Sequence, residues 1–310
     1  VAAFPSVLLS APPLVPRSAG GAGELVTGLL ADLPFEAWQV GLILLAGVWA
    51  GLINTIVGSG TLVTFPVLVT MGVPPVTASM SNAMGLIAGN LTGAWHYRHE
   101  LKGVERTLLK LVPFSVAGGV IGAALLLHLP ESVFGYAAPA LIVVALLFVI
   151  FQPRLQALVR RRKENQAEAA AAAARARGET PRPLDPDRAP QPASLYALVF
   201  LAGVYGGYFV AAQGVLLLGI LGVFLLASLQ AANAVKVVLV ALVNIVAAVS
   251  YVLFALDRIN WWVVLLIAVS STAGSWAGAK IGRRLSPVVL RTVIVVLGVV
   301  ALVNLVSRLI

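Results

Sequence analysis

The chain contains no cysteine. Disulfides, thiolate-bound metals and cysteine nucleophiles are therefore excluded. Charge is scarce too: 11% of the 310 residues are charged, against about 25% in an ordinary soluble domain. Acidic residues are the scarcest, 12 against 21 Lys and Arg, and all of them fall in termini, loops or one polar break. No carboxylate lies deep in an apolar segment, so a pump-like proton relay lacks its parts. The H-E-x-x-H, G-x-S-x-G and phosphate-loop patterns are missing, which removes intramembrane proteolysis and ATP hydrolysis. No enzymatic chemistry and no cofactor are expected. What remains is apolar, 60% hydrophobic with a mean hydropathy of +0.98. These values describe an all-α polytopic membrane protein whose first partner is the lipid bilayer. The net charge of +9 would suggest nucleic acid in a soluble domain. Here the basic residues stand between apolar segments as topology signals, and no nucleic-acid partner is expected.

Residues 1–35 are rich in Pro, Ala and Gly, with no basic stretch before the apolar patch at Val7-Leu8-Leu9. They read as a flexible lead-in rather than a signal peptide. A first membrane repeat then covers 36–152, a polar linker 153–192 and a second membrane repeat 193–310. A full crossing needs about 20 apolar residues. The second apolar segment (Thr61–Val73) and the seventh (Val215–Leu229) fall short, so they read as re-entrant, broken or strongly buried pieces. The linker carries Arg160-Arg161-Arg162-Lys163, an alanine run, and Arg175 and Arg177. It reads as solvated, with a fraying helix near Glu168 to Arg177, and its basic surplus assigns it to the cytoplasmic side. An anionic-lipid patch is the other use for such a run.

The two halves repeat each other. Ala46-Gly47-Val48-Trp49-Ala50-Gly51 corresponds to Ala202-Gly203-Val204-Tyr205-Gly206-Gly207, and Ala117–Ala123 to Ala273–Ala279, both at an offset of 156 residues. Asn82-Ala83 corresponds to Asn233-Ala234 at an offset of 151. Equivalent loops carry opposite charge bias: Arg98, Lys102 and Arg106 crowd one loop of the first half, whereas Lys280, Arg283 and Arg284 crowd the following loop of the second. An odd number of crossings per repeat would produce this, so the repeats are expected to be inverted, with four to five helical segments each. Five crossings satisfy the parity, and so do three crossings plus a re-entrant hairpin.

Each repeat is interrupted by a break. In the first it is Asn54-Thr55-Ile56-Val57-Gly58-Ser59-Gly60-Thr61, and in the second Tyr208-Phe209-Val210-Ala211-Ala212-Gln213-Gly214. Polar, glycine-broken backbone at membrane depth is tolerated only inside protein or along a cavity. Paired breaks in inverted repeats build the substrate sites of many secondary transporters; a tight interhelical turn is the plainer use.

Taken together, Ala46 to Pro66 (A-G-x-x-A-G-x-I-N-x-x-x-G-x-G-T-L-x-x-x-P), Ala78-Ser79-Met80-Ser81-Asn82-Ala83, Tyr205 to Gly214 and Asn233-Ala234-Val235-Lys236 resemble the sulfite exporter TauE/SafE family. The resemblance spans about Gly41 to Val306. It implies transport of a small sulfur-containing anion such as sulfite, sulfoacetate, a sulfonate or thiosulfate. The chain departs from the family at Val57-Gly58-Ser59-Gly60, where a longer glycine run is common, and at the alanines before Gln213.

Lys236 is the most informative charge. A lysine inside a membrane segment faces a cavity or a partner, or else snorkels to the interface. At about 100° per residue, Asn244 falls nearly in line with Asn233, and Lys236 about 60° away, giving a polar stripe. Asn82 and Asn90 answer it from the third segment, where Gly85, Gly89 and Gly93 read as close-packing residues. The expected substrate-binding set is Asn54, Ser59, Gly60, Thr61, Asn82, Asn90, Tyr208, Gln213, Asn233, Lys236 and Asn244. Gly118/Gly122 and Gly274/Gly278 read as packing devices, Tyr251, Trp261 and Trp262 as interfacial anchors. His96, His99 and Glu100 are too few convergent ligands for a metal. The sequence thus reads as a multi-pass permease of the cytoplasmic membrane, working by alternating access on a small anion. The alternatives are a passive anion channel or a carrier of a small carboxylate. A coupling ion, the direction of transport and the oligomeric state are left open.

Overall fold

The computed structural model describes residues 35–176, 187, 191–225, 227–281 and 287–307. The expected lead-in lies outside these residues apart from Phe35, as do residues 177–186 and 188–190 of the linker. The chain divides into Val1–Ala37 and Trp38–Ile310, and the second unit holds the membrane part.

Among the described residues there are ten α-helices and no strand. They are α1 (Ala37–Ile56), α2 (Thr61–Thr70), α3 (Pro75–His96), α4 (Glu105–His128), α5 (Glu131–Ala176), α6 (Ala193–Phe209), α7 (Gln213–Phe224), α8 (Leu229–Phe254), α9 (Trp261–Ile281) and α10 (Pro287–Ser307). Short 3-10 turns at Arg98–Leu101 and Leu256–Arg258 precede α4 and α9. Their ends follow from local chemistry. Pro75 opens α3 from the first helical position, where its missing N–H costs nothing. Ser228 caps α8 by accepting from the Ala231 N–H at 3.0 Å. The cap of α4 comes from far along the chain. Asp187 accepts from the Arg106 and Thr107 N–H groups at 3.2 and 3.0 Å, which puts the linker on the same side as the α3–α4 connection.

The chain is a multi-pass membrane protein. Helices α1, α4, α8, α9 and the Glu131–Leu158 part of α5 are long and apolar enough to cross a bilayer. Helix α3 has 22 residues, yet Ser79, Ser81, Asn82 and Asn90 dilute its hydropathy. All four are buried, so the polar face of α3 is screened from lipid by protein. Helices α2 and α7 have 10 and 12 residues. At 1.5 Å per residue they extend about 15 and 18 Å, roughly half of the hydrocarbon core.

Two expectations change. The last helix of the first repeat does not stop at the expected linker boundary; α5 runs unbroken through Pro153 to Ala176. Ala, Glu, Gln, Lys and Arg dominate that extension and are strong helix formers. Tyr251 is no interfacial anchor: it is fully buried and donates to the Gly207 carbonyl at 3.1 Å. Trp261 stands half exposed at the start of α9.

Small residues bring helices into backbone contact in an exchanged pattern. Gly118 and Gly122 of α4 lie against α6 at Phe200, Val204 and Tyr208. Gly274 and Gly278 of α9 lie against Val48 and Leu52 of α1. In both pairs, residue numbers rise together, so the partners run in the same direction. The first helix of each half thus packs on the fourth helix of the other. A Cβ at these glycines would press on backbone atoms of the neighbouring helix, which is why the pairs can approach so closely.

Candidate functional site

An α-helix that stops inside protein leaves its last four carbonyls without intrahelical donors. At the end of α1 each of three has found a donor. The Ile53 carbonyl accepts from the Val57 and Gly58 N–H groups at 2.7 and 3.0 Å. The Asn54 carbonyl accepts from Lys236 Nζ at 3.1 Å, and the Thr55 carbonyl from Asn233 Nδ2 at 3.3 Å. The Asn54 side chain donates to Asn90 Oδ1, and its own oxygen accepts a long bond of 3.5 Å from the Gly60 N–H. A Cβ on Gly93 would stand 3.3 Å from Val237 and 3.4 Å from Thr55, so the bare face of α3 lets α1 and α8 close up. Five of the expected residues, Asn54, Gly60, Asn90, Asn233 and Lys236, therefore meet where α1, α3 and α8 converge.

Lys236 is 1% exposed. It snorkels to no interface, and among the described residues it pairs with no carboxylate, only with the α1 helix end. The negative end of the α1 dipole faces it.

The remaining six residues divide. Asn82 donates to Thr61 Oγ1 at 3.1 Å and accepts from the Thr64 hydroxyl. Its side chain is occupied in pinning α2 to α3. Ser59 and Gln213 flank the place where the two breaks touch. A Cβ on Gly58 would fall 2.7 Å from the Gly214 carbonyl carbon, and one on Gly214 2.6 Å from the Gly58 oxygen. The Gln213 carboxamide lies against Gly206, where no side chain stands in its way. Tyr208 is set apart from the convergence, its ring edge-on to Phe134 at 5.7 Å. Asn244 lies two turns beyond Lys236 on α8, about 12 Å along the axis.

Many of these groups lack partners. Ser59 Oγ, Asn90 Nδ2, Asn233 Oδ1, the Tyr208 hydroxyl and both polar atoms of Gln213 and Asn244 are buried with no hydrogen bond among the described residues. Leaving such a group unpaired costs about 1–3 kcal/mol, so each calls for a polar partner or water. At the convergence the free Asn90 amide N–H stands with the Lys236 amine and, among the described residues, no carboxylate, which suits an oxyanion. Among the described residues no group of three His, Cys, Asp or Glu could hold a metal ion.

The matching family model is described as sulfite exporter TauE/SafE and covers residues 43–305. The chain belongs to this family. Two similar curated proteins are a "probable membrane transporter protein" of Haemophilus influenzae (strain Rd), 27% identical over 35% of this chain and 43% of its own length, and a "probable membrane transporter protein ORF9" of Sinorhizobium sp., 25% identical over 41% and 48%. The chain spans about half the length of these relatives. No solved structure matches. The family match contains every residue of the expected set.

Sequence reasoning passed over Thr55 and Thr64 as site members, and it missed the backbone oxygens that Lys236 and Asn233 engage. A broken helix always presents free carbonyls at its end, so the break itself was the available signal.

Proposed function

We propose that this chain is a secondary transporter that carries a small sulfur-containing anion, of the sulfite, sulfonate or thiosulfate class, across the cytoplasmic membrane. The observation that carries the proposal is Lys236, buried with no counter-charge among the described residues and beside the unpaired Asn90 amide N–H. A cation at a helix C-terminus gains at most about 2 kcal/mol, whereas burying an ion costs several. A bound anion supplies the difference. The Asn90 amide N–H and the Lys236 ammonium would hold its oxygens. Membership of the sulfite exporter family and the transporter names of the relatives support the same reading.

Alternating access rests on inverted repeats. The exchanged α4–α6 and α9–α1 contacts support an internal two-fold relation. So does the touch of Gly58 on Gly214, which stand 156 apart like the other repeated glycines. Under a two-fold relation a residue meets its own counterpart only near the axis. The breaks would then face each other at the centre of rocking. The Lys and Arg surplus orients the linker inward. With the linker go the α3–α4 connection and, in this reading, the α9–α10 connection.

The test is flux into liposomes. Sulfite, sulfoacetate and thiosulfate should enter faster with protein than without, with acceleration by the same anion inside. Equal flux in protein-free liposomes sinks the proposal. Flux without counter-acceleration would make the protein a channel, and preference for acetate would make it a carboxylate carrier.

A further inference from the structure

A second anion-attracting feature lies away from the convergence of α1, α3 and α8. A cavity of about 300 Å³ opens between α5 and α10, lined by Ile150, Pro153, Val288, Arg291, Thr292, Val295 and Val296. Its lining is apolar apart from Arg291 and Thr292. The Thr292 hydroxyl is already used, donating to the Val288 carbonyl at 3.0 Å. Arg291 Nε is shielded from solvent and has no hydrogen-bond partner among the described residues. The free hydrogen-bonding capacity of this lining is thus one guanidinium edge.

The depth of the cavity identifies its ligand. Pro153 follows Glu131, the first residue of α5, by 22 positions, about 33 Å along the helix, against a hydrocarbon core of about 30 Å. Glu131 meets Arg258 at 3.8 Å on the side of the α4–α5 and α8–α9 connections. Pro153 and Arg291 therefore stand at the opposite membrane boundary, at the level of phospholipid phosphates. Toward the bilayer centre the walls continue as exposed apolar side chains, Leu147 on α5 and Val299 and Val303 on α10. A cationic fork at headgroup depth above an apolar groove matches a phosphate with an acyl chain below it, better than a soluble anion.

We propose that this cavity is a binding site for an anionic phospholipid, with the Arg291 guanidinium on the phosphate and an acyl chain between α5 and α10. A basic pocket between membrane helices on the linker side is a recognised setting for such headgroups. The site is independent of the transported anion.

The experiment measures thermal melting of the full chain in detergent as phosphatidylglycerol or phosphatidylcholine is added. The melting temperature should rise with phosphatidylglycerol and rise less with phosphatidylcholine. Arg291→Gln should raise the lipid concentration for half the effect about tenfold, the loss of one charge-assisted hydrogen bond. Val295→Phe, which fills the cavity and keeps the arginine, should do the same. Both variants should melt like the unaltered protein in phosphatidylcholine; if one does not fold, the other carries the test. Arg161→Gln should respond to phosphatidylglycerol as the unaltered protein does. The proposal is overturned if either folded cavity variant keeps the full response, or if Arg161→Gln loses as much as Arg291→Gln. It is also overturned if inorganic phosphate gives the same rise as the lipid.

Discussion

The two breaks occupy matching positions in the two halves and are built differently. In the first, the turn needs one left-handed residue, and Gly58 takes it at φ +97°, a conformation open to glycine at little cost. The released carbonyls of α1 are met by Lys236, Asn233 and backbone donors. In the second, the left-handed positions fall on Val210 (φ 60°) and Ala212 (φ 58°), and the Ala211 N–H closes a tight bond of 2.6 Å to the Phe209 carbonyl. Left-handed backbone at such residues costs on the order of 1–3 kcal/mol each. Beside it the Gln213 carboxamide has no partner. Both breaks keep unpaired polar atoms; the first has relaxed backbone and a partnered helix end, and the second holds backbone strain. In the proposed transporter this difference assigns binding to the first break and rearrangement to the strained second one.

The strongest way to break this comparison is at the point where the two breaks touch. Gly58→Ala adds a Cβ 2.7 Å from backbone and forces a left-handed alanine. Overpacking of about 1–3 kcal/mol adds to the strain, so a large drop in melting temperature is expected. A variant that melts unchanged would show that the breaks do not meet. Next in size is the charge at the first break. Lys236→Met should weaken anion affinity about tenfold to a hundredfold, the 1.5–3 kcal/mol of a hydrogen bond to a charged group. Unchanged affinity would return Lys236 to a purely structural role at the helix end.

Relieving the second break should work in the opposite direction. Ala212→Gly removes about 1 kcal/mol or more of backbone strain, partly offset by the added freedom of unfolded glycine. A modest rise in melting temperature with slower flux is expected, and a fall in stability would mean that no strain resides there. The smallest effect lies outside both breaks. Burial pushes the Asp187 carboxyl up, but the hydrogen bonds from Thr107 and Arg106 and the Arg106 charge outweigh it and hold its pKa below the usual value. Its contribution is complete above the ordinary carboxylate range and is lost as pH falls through the lowered folded value. Asp187→Ala should cost no more than about 1 kcal/mol at neutral pH, given its exposure. The cost should vanish in strong acid and leave anion binding untouched.

Much of the architecture is legible in apolar run lengths, because hydrocarbon imposes a fixed length on any crossing. The shortness of α2 and α7 is visible in the same way. The candidate site is legible more unevenly. Asn54, Asn90, Asn233 and Lys236 stand out because polar groups are rare in such segments, and the structure brings them together. Asn82 stands out for the same reason, yet its side chain is consumed by Thr61 and Thr64. Composition cannot separate a polar group that awaits a ligand from one already bonded. Tyr251 misleads because its position near a helix end suggests an interface, whereas its partner, the Gly207 carbonyl, is 44 residues away. The strain at Val210 and Ala212 has no signature at all, since neither residue type favours left-handed backbone.

Calorimetric titration of sulfite into the purified protein, beside the Lys236→Met variant, tests the binding role of the first break most directly. Saturable binding by the unaltered protein, weakened at least about tenfold in the variant, is the expected result. Equal binding by the two folded proteins would refute the assignment of the anion site to Lys236 and the end of α1.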